Sequence, residues 1–182
     1  MPKIYEIKQS VFADNDRRAD LLRQDLRKEG TFLLNLMSAP GSGKTTTLTK
    51  TLSLLKDELR IGVMEADIDS DVDACTIEKT GVKVVQLHTG GMCHLEGDDK
   101  PLKYPLMFTI CDVLLINKTD VLPYFDFDLD KCRERALALN PDMTIIPISA
   151  KTGEGIEEWA GWLLDRVREW RKDLDGAEGA KG

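Results

Sequence analysis

Residues 38–45 read S-A-P-G-S-G-K-T, a run in which each residue type has a use against a phosphate chain. Gly41 and Gly43 let the backbone turn its N–H groups inward around anionic oxygens, with Ser42 between them adding another amide to the cradle. Lys44 places an ammonium beside the β- and γ-phosphates, where it also serves catalysis. Thr45 offers Mg²⁺ a hydroxyl, and Thr46 continues a helix N-terminus whose unpaired amides carry positive potential. The position that usually holds the first glycine of such a loop is Ser38, so its φ is expected to be ordinary.

A second set of residues reads a base. Asn117-Lys118-Thr119-Asp120 follows the apolar run DVLLI and resembles the base-recognition element of GTPases. The carboxylate of Asp120 can accept from both N1–H and the exocyclic amine of guanine, whereas adenine presents no such donor pair. GTP is therefore expected over ATP. Asn117 is expected to tie this loop to the phosphate loop, with the stem of Lys118 across the base. Ser149-Ala150-Lys151, after MTIIPI, resembles the companion element, in which the Ala150 N–H meets guanine O6.

Carboxylates and soft ligands come next. Asp67 sits just past an expected strand end, where it can approach Mg²⁺ held by Thr45, with Asp69 a second choice. Asp71 and Asp73 read equally well as a solvated face. Cys93 and His94 are adjacent in a glycine-rich stretch and offer a thiolate and an imidazole, which suits Zn²⁺ or Ni²⁺ but supplies only two donors. His88 reads as a packed residue. Cys75, Cys111 and Cys132 lack a Cys or His neighbour and read as structural.

The elements that must position these groups follow from periodicity. Residues 12–29 spell an amphipathic helix, with Asp14 or Asn15 as caps and Gly30 as its stop. Residues 31–37 (TFLLNLM) read as a strand leading into the phosphate loop, and 45–59 as the helix after it. Strands are predicted at 61–66, 82–87, 112–117 and 143–148, and a helix at DLDKCRERALAL. The last helix is predicted over 155–172, with Ile156, Trp159, Leu163 and Val167 on one stripe, and 173–182 as a frayed tail. Apolar strands alternating with helices predict an α/β fold of the P-loop NTPase type, its mostly parallel sheet flanked by helices.

Composition narrows the classes further. With 182 residues and 42% hydrophobic content, the chain suits a single domain over residues 1–182. A net charge of -7 argues against nucleic acid as a partner. The four cysteines contain no C-x-x-C pair, and the N-terminus has no continuous apolar run. Neither a disulfide framework nor a membrane anchor is indicated, and a cytoplasmic setting fits.

Taken in order, S-A-P-G-S-G-K-T-T, E-A-D-I-D-S-D-V-D-A, L-H-T-G-G-M-C-H-L, E-G-D-D-K-P-L-K-Y-P and I-N-K-T-D resemble the HypB family, GTPases that help insert nickel into nickel–iron hydrogenase. The related urease accessory GTPase has a proline between its Cys and His, so the adjacent Cys93 and His94 favour the hydrogenase branch. The resemblance implies a GTP-dependent homodimer that holds nickel or zinc at Cys93 and His94 and works with hydrogenase maturation proteins and the hydrogenase large subunit. In that family another Cys, in the segment E-N-V-G-N-L-V-C-P, completes the metal site. Here Leu95 runs directly into Glu96, where the family inserts a helix, a core strand and that Cys. Impaired hydrolysis and weak metal binding are the expected consequences. The N-terminal C-x-x-C-G-C or histidine-rich nickel stores of some members are absent, which favours GTP-gated delivery over storage. The rival readings are an ATP-dependent small-molecule kinase, which N-K-T-D opposes, and a nucleotide-gated binding protein without efficient hydrolysis.

Overall fold

A computed structural model describes residues 7–39, 41–67, 76–88 and 105–179, and side chains at all of these except 7–16, 65–67, 86–88, 105–107 and 177–179. Residues 1–35 with 165–182 make one compact unit, and residues 36–164 another.

In the first unit, α1 spans Ile7–Lys28. It begins before the predicted start, so Asp14 and Asn15 are interior residues and not caps. Residues 7–11 (IKQSV) contain neither Pro nor Gly, so nothing local stops the helix from extending backward. Its end is as predicted. Gly30 takes φ 63°, its N–H donates to Arg27 O at 3.1 Å, and the Thr31 N–H reaches Leu26 O at 2.8 Å. This pair of bonds satisfies two otherwise orphaned helix carbonyls. Phe32 then meets Trp170 edge to face, with ring centroids 5.7 Å apart.

The second unit is organised around α2 (Lys44–Leu55). Thr47 and Thr51 are buried on this helix, and their hydroxyls donate back to Gly43 O and Thr47 O at 2.9 and 2.8 Å. Neither hydroxyl is left unsatisfied in the core, which is why threonine is tolerated there. Leu52 of α2 packs with Ile77 and Val82, and Leu48, Ile61, Val63 and Val84 close around them. That cluster seats α2 on one face of a parallel pair, β1 (Gly62–Asp67) and β2 (Lys83–His88). On the other face Met64 and Val85, partners in the register, are 66% and 55% exposed.

After α3 (Pro105–Ile110) comes the second parallel pair, β3 (Val113–Ile116) with β4 (Thr144–Pro147). Between these strands lie a 3₁₀ helix (Thr119–Tyr124) and α4 (Leu129–Leu139). Asp128 caps α4 by accepting from the Lys131 N–H at 2.9 Å, and that bond holds its carboxyl below the ordinary range. The last helix, α5, spans Ile156–Gly179, so most of the predicted frayed tail is helical. Its stripe of Ile156, Trp159, Leu163 and Val167 is buried, as the spacing predicts, and Ala160 is buried with it. The Trp159 indole N–H donates to Thr51 Oγ1 at 3.0 Å, joining α5 to α2.

The α/β class stands, with helices beside parallel strands, but the sheet differs from expectation. Among the described residues it is two separate two-stranded pairs, and residues 31–37 form no strand. A strand exists only where a neighbour completes its ladder of N–H and C=O groups. Here Leu33 and Met37 are both 53% exposed.

Candidate functional site

The phosphate loop joins residue 39 to α2, with Pro40 outside the described residues. Gly41 and Gly43 adopt φ 68° and 90°, left-handed conformations that a side chain would strain. At Gly43 there is a second constraint, because an added Cβ would run into the Asn117 carboxamide. Ser38 has no positive φ; among the described non-glycine residues only Lys118 does, at 71°. Gly43 caps α2 and has no side-chain atom that could accept from the first amides of the helix. Lys44 and Thr45 are half-buried in that first turn, and Thr46 is exposed. Ser42 Oγ is buried with no hydrogen-bond partner among the described residues.

Asn117 binds three loops together. Its Nδ2 donates to Ser42 O at 2.7 Å, while its Oδ1 accepts from the Lys118 N–H at 2.8 Å and from the Ala150 N–H at 2.9 Å. The predicted tie between base loop and phosphate loop is thus present as a hydrogen bond. The same bond changes the part expected of Ala150. Its amide hydrogen is engaged by Asn117, so a guanine O6 must share that hydrogen. Asp120 is held by Ser149, whose Oγ donates to Oδ1 at 2.7 Å, and its Oδ2 lies 4.0 Å from Lys151 Nζ. Ser149 is completely buried, and its Oγ also accepts from the Thr152 N–H at 3.1 Å. The Thr119 N–H donates to Ile148 O at 3.1 Å, anchoring the base loop to the end of β4.

These groups surround an open cavity of about 670 Å³ lined by Gly43, Thr46, Asn117, Lys118, Asp120, Ala150 and Lys151. Its size suits a ligand larger than a single base. Three further lining residues, Lys50, Val121 and Phe125, were not singled out in the sequence. Lys50 lies two turns into α2 in no motif, yet its Nζ donates to Lys151 O at 3.2 Å and so ties the base loop to the phosphate helix. Lys50→Met is expected to raise the Kd for GDP about threefold, the scale of one partly exposed hydrogen bond. Lys50→Arg should restore most of the affinity, with thermal melting unchanged in both; isothermal titration checks this.

The other predicted ligands are placed less fully. Asp67 ends β1, with Asp67 and His88 as register partners, but their side chains lie outside the described ones. Asp69, Asp71, Asp73, Cys75, Cys93 and His94, and the junction of Leu95 with Glu96, lie outside the described residues altogether. Cys132 is buried. Cys111 is half-buried, and its thiol is pushed above its ordinary range by burial and then by the Asp112 charge.

Residues 32–100 match the CobW/HypB/UreG nucleotide-binding domain. The hydrogenase maturation factor HypB of Azotobacter chroococcum mcd 1 is 37% identical, covering 88% of this chain and 68% of its own. The chain belongs to the HypB family. The hydrogenase/urease maturation factor HypB of Helicobacter pylori strain J99 is 30% identical over 92% of this chain and 90% of its own length. The solved structure of HypB from Helicobacter pylori in complex with nickel superposes with a TM-score of 0.76 at 30% identity, covering 86% of this chain and 96% of that one. The fold is therefore that of the HypB P-loop GTPases. The A. chroococcum alignment runs over 209 positions yet takes in only 88% of these 182 residues. Roughly fifty positions of that alignment therefore have no residue of this chain opposite them.

Proposed function

We propose that the chain is a GTP-binding, slowly hydrolysing factor that delivers nickel during hydrogenase maturation, with one nucleotide-binding domain over residues 1–182. The observation that carries this reading is Asn117, which joins the phosphate loop at Ser42 to the base loops at Lys118 and Ala150 on the wall of one cavity. Guanine is selected by Asp120. Lys44 and the loop amides stabilise charge on the γ-phosphate. Thr45 and Asp67 would hold Mg²⁺, which would supply neutralisation of phosphate charge when bound. Cys93 and His94 take the cargo, nickel or zinc; the nickel complex of the H. pylori relative supports nickel.

GTP-dependent pairing of two copies, partners among the hydrogenase maturation proteins and the hydrogenase large subunit, and a cytoplasmic setting complete the reading. No helix among the described residues is long and apolar enough to cross a membrane. The name of the H. pylori relative leaves urease as a second recipient. A second reading, a nucleotide-gated binding protein with little turnover, is favoured by the division of the strands into two pairs.

Nickel is the test. Ni²⁺ affinity of the purified chain is expected to differ at least fivefold between its GDP form and its form with a non-hydrolysable GTP analogue. The pair Cys93→Ser with His94→Ala should abolish the difference. Equal affinity in the two nucleotide forms would refute gated delivery.

A further inference from the structure

We propose that Phe125 is the aromatic wall of the base site, stacking on the face of the purine whose edge Asp120 reads. The inference rests on the nucleotide reading above and adds a residue to it.

Phe125 belongs to none of the motifs. It follows the 3₁₀ helix that starts one residue after Lys118, in extended backbone with φ −129° and ψ 148°. Its N–H donates to Leu122 O at 3.2 Å, and Pro123 inside the helix fixes a further backbone angle. A short, stiff turn therefore sets its position relative to Asp120. Phe125 is 67% exposed, so packing in the apolar core does not account for it. It nevertheless lines the same cavity as Lys118, Asp120 and Val121. Its neighbour Tyr124 is more exposed, at 82%, and does not line that cavity.

Edge recognition by itself leaves the faces of a purine wet, and the stem of Lys118 can cover only one of them. Asp120 can satisfy the donors along the Watson–Crick edge, but hydrogen bonds alone exchange one set of partners for water's and gain little net affinity. An aromatic ring beside the edge reader supplies what they lack, since stacking on a base is strong and tolerant of its identity. Phe125 thus contributes affinity for any purine, while Asp120 contributes the choice of guanine. Burying a ring that is otherwise exposed also gives the nucleotide-free chain an apolar surface that the ligand covers.

The test uses the full chain with GDP, inosine diphosphate and inorganic tripolyphosphate. Phe125→Ala is expected to raise the Kd for both nucleoside diphosphates about tenfold. Tripolyphosphate should bind as to the unsubstituted chain, Phe125→Tyr should bind GDP normally, and Tyr124→Ala should change nothing. In Phe125→Trp the new indole fluorescence should be quenched by GDP and untouched by tripolyphosphate. Equal GDP affinity in the unsubstituted chain and Phe125→Ala, or a matching loss of tripolyphosphate, would overturn the proposal and leave the nucleotide reading in place. Failure of the unsubstituted chain to bind GDP would overturn both.

Discussion

Asp120→Asn is expected to weaken GDP binding by about a hundredfold, the scale of two hydrogen bonds to a charged acceptor, while xanthosine diphosphate gains affinity. The carboxylate accepts on both oxygens, whereas a carboxamide turns one of them into an N–H donor that faces guanine's own donors. Xanthine carries a carbonyl where guanine carries its amine, so the same exchange becomes favourable. The fold should persist. Ser149 can donate to the Asn side-chain oxygen as it now donates to Asp120 Oδ1. Lys151 loses a partner at 4.0 Å, but its side chain is 83% exposed, and such pairs contribute little stability. Titration calorimetry with the two diphosphates, beside a circular-dichroism melt, measures this. Unchanged guanine preference would remove Asp120 from the base site.

The second large effect concerns the sheet. Inserting between Leu95 and Glu96 a helix and strand of the kind the HypB resemblance implies there, with E-N-V-G-N-L-V-C-P, is expected to raise the melting temperature by about 10 °C, and GTP turnover at least tenfold. Met64 and Val85 form an exposed apolar pair on one face of the β1–β2 sheet, and Leu33 and Met37 are exposed on the chain leading to the phosphate loop. Covering a few such side chains yields about 1.5–3 kcal/mol each. Most of that is offset by ordering the inserted residues. A net gain of a few kcal/mol corresponds to roughly the stated shift in a chain of this size. Turnover should rise because a strand beside residues 31–37 would fix the backbone that enters the phosphate loop, and charge stabilisation depends on donors held in place. A scrambled insert of the same composition is the control. If both inserts leave melting and hydrolysis unchanged, the absent segment is not what divides the strands.

Much of the site was legible in the residues themselves. The glycines at 41 and 43 have the positive φ values their types allow, Asn117 reaches Ser42 O, and the stripe from Ile156 to Val167 is buried. Each depends on spacing within one turn or on a side chain with few geometric choices. Lys50 and Phe125 were not legible, because a lysine on an exposed helix face and a phenylalanine after a short turn have no signature until distant loops arrive beside them. Ala150 shows the same limit from the other side. That it lies with the base loop was readable, but the bond from its N–H to Asn117 was not.

Glycine 155 separates the two kinds of information most plainly. In the sequence it reads as the start of a helix. In the structure it has φ 71°, and an added Cβ would collide with Pro147 O, so the close approach of α5 to the end of β4 requires glycine there.

The amino-acid sequence by itself determined the chemistry of the loops, because donor, acceptor and charge are properties of residue type, and helices close their hydrogen bonds within a few residues. Only the tertiary structure decided which strands pair. A ladder needs a partner from elsewhere in the chain, and residues 31–37, apolar and strand-like as they are, form no strand here. Among the described residues, β1 with β2 and β3 with β4 are joined instead as two separate pairs.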